Sequence, residues 1–297
     1  MRLGFPPRAQ ATLFRGAPAA DTLVVSHYPV AGNDRNTGPR YAREARLTGF
    51  DVLGITRVGT NTGLPSPRLR RRLGARSFDA WCAEAASALV EVCRGYRYVV
   101  LRGQSTGAFP TLGIARTGLL PVTHLLLEDG INTRRTRRGR VRDPLTARLD
   151  WLRYAYEERS KMRHPPREGW AWPDEQPAPR RSTVWFAVEQ YHWAPLWRST
   201  WGRDVLVGLV RDRPDLPVLV KCVGHTALST AAEVTELAAD LRAVRGAGAA
   251  PCRLDVDADA WHAVLVYAEY GAANLRAVRA LHPKAPSNRG RSPAPSS

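Results

Sequence analysis

Thirteen residues, Tyr98 to Pro110 (YVVLRGQSTGAFP), hold the arrangement with the clearest chemical meaning. An apolar β-type run ends in Gly103-Gln104-Ser105-Thr106-Gly107, and a small-residue helix-compatible stretch follows. A serine hydroxyl is a weak nucleophile until a base removes its proton, and it must be presented away from the backbone. A sharp strand-to-helix turn does this at a cost in backbone strain. Glycines two residues to either side relieve the crowding, and Gly103 and Gly107 stand there. The amide of Thr106 then points where an oxyanion would develop. The spacing alone arises by chance among small residues, so the β run before it and the helix after it carry the reading of Ser105 as a nucleophile.

Those flanks belong to a longer rhythm. Residues 21–26 read as a buried strand, 38–49 as a helix and 51–58 as a second strand. Ser77 to Cys93 is an amphipathic helix, with Phe78, Trp81, Ala85, Leu89 and Val92 at three- and four-residue steps. Strands follow at 98–101 and 122–127, separated by a helix at 106–117 that Pro110 interrupts. Alternation breaks off from 131 to about 210 and returns with a strand at 216–223, a helix at 231–245, a short strand at 252–256 and a helix at 263–281. Short apolar strands alternating with helices imply an α/β, mostly parallel, doubly wound sheet covered on both faces. The organisation expected is a core in two parts, 1–130 and 211–282, an inserted segment at 131–210, and a disordered Pro/Ser/Arg-rich tail at 283–297. Seven of the nine tryptophans fall between 151 and 201, which predicts that the insert is a helical, Trp-rich cap whose rings pack together or line an acyl or aryl pocket.

The same stretches resemble the α/β-hydrolase family over roughly residues 21–130 and 215–281. "DTLVVSHYPVAGND" looks like its first core strand and oxyanion loop, and "VLGITRVGTNTG" like a strand with a Gly-bracketed loop at Gly59 and Gly63. "YVVLRGQSTGAFPTLGIA" is similar to the nucleophile elbow, "LPVLVKCVG" to the late strand before the acid loop, and "DADAWHAVLV" to the loop with the catalytic histidine. The resemblance implies a serine hydrolase that cleaves an ester, thioester or similar acyl bond through a Ser–His–Asp triad. Ser105 would be the nucleophile and His262 the base, with His225 its rival. Gly224 to Ser229, where the family usually carries the acid, holds no carboxylate; the resemblance to members that carry it after the preceding strand implies Asp129, with Glu128, Asp257 and Asp259 as fallbacks. The oxyanion donors would be the amides of Thr106 and Tyr28. Pro29 has no N–H, which leaves Val30 as the substitute. Of the other histidines, His27 reads as structural, His124 as packing, and His164, His192 and His282 as exposed.

Composition bounds the rest. The 297 residues are 44% hydrophobic and 24% charged, as in a globular chain, and no apolar run approaches the roughly 18–20 residues that span a bilayer. The start has no long apolar segment of the secretory type, so the expected location is cytoplasmic. Cys82, Cys93, Cys222 and Cys252 are scattered, so neither disulfides nor metal or other cofactors are expected. No G-x-G-x-x-G follows the first strand, which argues against a dehydrogenase. The net charge is +17, and only three of the 44 basic residues are lysines, a bias that a GC-rich coding sequence would produce. Basic runs at 68–76 and 134–142 keep a second reading open: a non-catalytic protein of the same fold that binds an anionic partner such as nucleic acid or an acidic protein surface. On the main reading the partner is a small acyl substrate with an apolar or aromatic part.

Overall fold

A computed structural model of the chain describes residues 2–5, 9–28, 37–55, 75–130, 168, 170, 200–226 and 229–281. Within them the strands are β1 (Arg2–Phe5), β2 (Ala9–Phe14), β3 (Thr22–His27), β4 (Asp51–Ile55), β5 (Tyr98–Gln104), β6 (His124–Glu128), β7 (Val218–His225) and β8 (Cys252–Trp261). The helices are α1 (Gly38–Thr48), α2 (Ala75–Arg94), α3 (Ala108–Arg116), α4 (Trp201–Asp212), α5 (Ala231–Ala243) and α6 (Ala268–Arg279). The strands form one eight-stranded sheet in the order β1-β2-β4-β3-β5-β6-β7-β8. β1–β2 and β2–β4 pair antiparallel, and every pair from β4–β3 to β7–β8 is parallel.

Alternate side chains of each central strand enter opposite apolar layers. Leu23, Val25, Leu53, Leu101, Leu125 and Val220 face a cluster completed by α2, α3, α4 and α5. Val24, Val52, Val100, Leu126 and Leu219 face a second one, completed by Tyr41 and Ala45 of α1 and Leu275 and Val278 of α6. This double burial is why β3, β5, β6 and β7 read as continuous apolar runs rather than as polar–apolar alternation. The expected mostly parallel, doubly wound sheet is therefore present.

Several boundaries differ from expectation. The antiparallel β1–β2 hairpin at the sheet edge was not foreseen. β8 runs five residues past the short strand expected at 252–256, to Trp261, as an edge strand with half-exposed Asp255 and Asp257. The last helix starts at Ala268, after a 3₁₀ segment at His262–Val266. Pro110 falls in the first turn of α3, where a missing N–H costs no intrahelical bond, so it begins the helix rather than breaking it. The expected boundary between 210 and 211 cuts α4, whose Val205, Leu206, Leu209 and Val210 are buried in the same cluster as the sheet. Trp201 at its start packs on Phe78 and Phe109, with ring centroids 5.4 and 5.8 Å away. Of the expected cap before Thr200, Glu168 and Trp170 are described. The rest of it, the tail, the loop at Gly59 and Gly63, the run 134–142 and most of 68–76 lie outside the described residues. Among the described residues no helix is long and apolar enough to cross a membrane.

Candidate active site

The chain lays down β3, crosses to β4 on one side, then returns to β5 on the other. That reversal opens a crevice at the carboxyl ends of β3 and β5, the place where open α/β sheets receive ligands. Ser105 follows β5 directly and opens a 3₁₀ turn, Ser105–Gly107, that leads into α3. Its φ is +51°, the left-handed region that a side chain other than glycine's occupies at a cost of about 1–3 kcal/mol. The flanking glycines make the turn feasible. A Cβ on Gly103 would come within 2.5 Å of Ala108 Cα, and one on Gly107 within 2.7 Å of the His27 carbonyl oxygen. Ser105 and Thr106 are 6% and 5% exposed, so the turn is sunk in the sheet end rather than hung on a surface loop.

A second strained turn stands beside it. β5 and β6 pair with Gln104 opposite Glu128, so the residues after them, Ser105 and Asp129, leave neighbouring strands at the same level. Asp129 has φ +40°, and its N–H is donated to Lys221 O at 2.7 Å. The carboxylate is buried, and its Oδ1 accepts from the Val223 N–H at 3.4 Å. Its Oδ2 lies 2.5 Å from Nδ1 of His262, the first residue after β8, whose side chain is 17% exposed. An ionised carboxylate only accepts, so with Asp129 ionised Nδ1 is the donor of this pair, and in the neutral imidazole Nε2 is then the acceptor.

The other candidates stand elsewhere. His225 ends β7 exposed, its ring stacked on Trp261 with centroids 4.7 Å apart. Glu128 is buried with both oxygens engaged, Oε2 by Arg102 Nε at 2.6 Å and Oε1 by Asn274 Nδ2 at 2.8 Å. Asp257 and Asp259 lie within β8, half-buried and exposed. His27 is buried, with Nδ1 3.1 Å from Thr111 Oγ1; that hydroxyl donates to Arg102 O, so it accepts from the ring. His124 is buried in β6, its Nδ1 2.9 Å from Thr123 Oγ1. His164, His192 and His282 lie outside the described residues.

Tyr28 requires a correction. Its N–H is donated to Ile55 O at 3.1 Å, which extends the β3–β4 ladder by one residue. β4 and β5 lie on opposite sides of β3, so this amide points away from the Ser105 turn and does not serve as an oxyanion donor. Pro29 has no N–H, and Val30 lies outside the described residues.

Beneath these turns lies a buried ionic network that the sequence reading missed. Arg102, in β5, is fully buried; Nη1 lies 2.5 Å from Glu44 Oε2 and Nη2 3.2 Å from Glu44 Oε1. Burial opposes its charge, but Glu128 and Glu44 outweigh that and raise its pKa further above the ordinary guanidinium range. Arg40 of α1 donates to Leu265 O and to Gln104 Oε1, with Glu44 Oε1 3.6 Å from its Nε. The signal for all this was an arginine inside an apolar strand, since a buried charge must be paired.

No protein-family model matches the chain, and no curated protein matches its sequence. Solved structures do match in fold. An N-formylmaleamic acid deformylase from Pseudomonas putida aligns with a TM-score of 0.54 at 16% identity, covering 92% of this chain and 99% of that one. A carboxylesterase from Bacillus subtilis aligns at 0.54 and 13%, covering 94% and 89%. A haloalkane dehalogenase from Bradyrhizobium elkanii aligns at 0.54 and 14%, covering 94% and 97%. At such identities the likeness establishes the fold alone: this chain has the α/β-hydrolase fold.

Proposed function

We propose that the protein is a serine hydrolase that cleaves an ester, thioester or similar acyl bond by way of an acyl-enzyme. The observation that carries this reading is the pairing of His262 with Asp129 at the sheet end where Ser105 stands on a strained turn. Ser105 Oγ attacks the carbonyl carbon while its proton passes to His262 Nε2. Asp129 accepts from Nδ1 and holds the ring in the tautomer that can take that proton. The proton then goes to the leaving alcohol or thiol as the bond to the acyl carbon breaks. Water, deprotonated by the same imidazole, adds to the acyl-enzyme and releases the acid with Ser105 restored. The Thr106 amide, in the turn opened by Ser105, is the proposed oxyanion donor, and a single such donor is worth about 10²–10³ in kcat.

The fold neighbours named as a carboxylesterase and a deformylase support acyl chemistry. Trp170, 5.6 Å from the Tyr267 ring and 6.2 Å from that of Tyr270 between centroids, supports an apolar or aromatic acyl part, because these rings follow the His262 segment. All four cysteines are free thiols, which fits a reducing compartment and supports a cytoplasmic location. The anionic-partner reading rests on the basic runs at 68–76 and 134–142, most of which lie outside the described residues, whereas the pairing of Asp129 with His262 supports the catalytic reading.

A fluorophosphonate probe tests the proposal. Folded protein should be labelled covalently, and Ser105→Ala should not. Absence of labelling in a folded sample, or equal labelling of the two proteins, would overturn it.

A further inference from the structure

We propose that Arg40 is a positioning residue, whose forked guanidinium holds the His262 segment in register with the Ser105 turn; this rests on the triad reading above. The need for such a device follows from the topology. Ser105 and Asp129 leave adjacent strands, and the β5–β6 ladder fixes their spacing. His262 leaves β8, which two strands, β6 and β7, separate from β5. Among the described residues no ladder bond ties the segment after β8 to the centre of the sheet. That segment, His262–Val266, is a single 3₁₀ stretch, so holding Leu265 also holds the start of the same turn.

Arg40 supplies the tie from a distant part of the chain. It is 4% exposed, on the helix between β3 and β4. One terminal nitrogen donates to Leu265 O, and the other donates to Oε1 of Gln104, the residue before Ser105. The guanidinium carbon lies 4.7 Å from the centroid of the Tyr41 ring, and the Tyr41 hydroxyl donates to the same Gln104 oxygen at 3.4 Å. Glu44 faces both Arg40 and Arg102, and Arg102 binds Glu128, the residue before Asp129. Asn274, on the helix after the His262 segment, closes the network on Glu128. Each of the three proposed catalytic residues therefore lies within three positions of a member of this network. A guanidinium suits the role because its rigid fork reaches two acceptors on different segments, whereas an ammonium is a point donor on a flexible stem.

The test compares wild type with Arg40→Met, Arg40→Lys and the charge-balanced Arg40→Met/Glu44→Gln, which leaves Arg102 paired with Glu128. Val278→Ala, a cavity in the same apolar layer but outside the network, controls for lost stability. The readouts are the fluorophosphonate labelling rate of Ser105, Tm, and kcat and KM on an ester that the wild type turns over. A displacement of about 1 Å can cost about 10²-fold, so both Met variants should label at least about tenfold more slowly, with KM within about twofold. Arg40→Lys should recover Tm more than rate, and Val278→Ala should label at the wild-type rate despite a lower Tm. Folded Arg40 variants that label at the wild-type rate, full recovery of rate in Arg40→Lys, or equal slowing in Val278→Ala would overturn the proposal. If Arg40→Met does not fold, the charge-balanced pair decides by the same criteria. A wild type that takes no probe overturns the Ser105 reading instead, and this one with it.

Discussion

Nδ1 of His262 and Oδ2 of Asp129 lie 2.5 Å apart although 133 positions separate the two residues in the chain. The contact depends on Asp129 turning at φ +40°, just past β6, towards a segment that arrives from β8.

Asp129→Asn isolates the charge in that contact. Asparagine tolerates the left-handed region well, so the turn should survive. An amide can donate to Nδ1 and favour the wrong tautomer. The expected outcome is a fall in kcat of about 10³–10⁴-fold with Tm little changed, read by ester turnover and thermal unfolding. Retention of more than a tenth of wild-type kcat would assign the acid elsewhere.

Gly103→Ala tests the turn itself. The added methyl would meet the Ala108 backbone, which cannot swing aside as a side-chain tip can. A loss of about 1–3 kcal/mol in urea unfolding is expected, together with loss of probe labelling by the fraction that stays folded. Gly118→Ala is the control for a destabilising glycine substitution away from the Ser105 turn. Its φ is +67° but nothing lies within 4 Å of the added carbon, so it should lose stability yet keep labelling.

Arg102→Met leaves Glu44 and Glu128 buried without their shared cation. Breaking a buried pair from one side costs about 3–5 kcal/mol. Denaturant unfolding should show a loss of that order, and Arg102→Met/Glu128→Gln should lose less, because one of the stranded charges is removed. Equal loss in both would mean that packing, not charge, sets the cost.

Tyr96 gives a pH-dependent signature at the opposite end of the sheet. Burial, and then its hydrogen bond to Asp51 Oδ2 at 2.6 Å, push the phenol from 10.0 up to about 12. The folded state holds the proton more tightly than the unfolded chain. The resulting stability is therefore complete below pH 10 and disappears as pH rises through about 12. The Tm difference between wild type and Tyr96→Phe should be constant below pH 10 and shrink across that window; a difference that stays level through it would refute the assignment.

The central strands were legible because burial on both faces leaves β3, β5, β6 and β7 as unbroken apolar runs. The edges were not. β8 alternates Asp255, Asp257 and Asp259 with small or apolar residues, a pattern that β propensity disfavours and that pairing with β7 overrides. The β1–β2 pair is too short, at four and six residues, to announce itself. The sharp turn at Ser105 was legible because such a turn between strand and helix needs glycines at fixed local offsets. Tyr28 was misread because sequence does not tell which neighbouring strand takes an amide, and the ladder to β4 runs one residue past β3. The Arg40–Glu44–Arg102–Glu128 set was invisible as a set: its members come from three elements, and no local pattern links them.

That set sums to zero charge and is closed to solvent, whereas the chain as a whole carries +17. Mobile counter-ions gather over a basic exterior and weaken its surface pairs as salinity rises, but they do not reach a buried quartet of zero net formal charge. The exterior can thus meet changing ionic strength, or exchange its arginines, without retuning the electrostatics under the Ser105 turn.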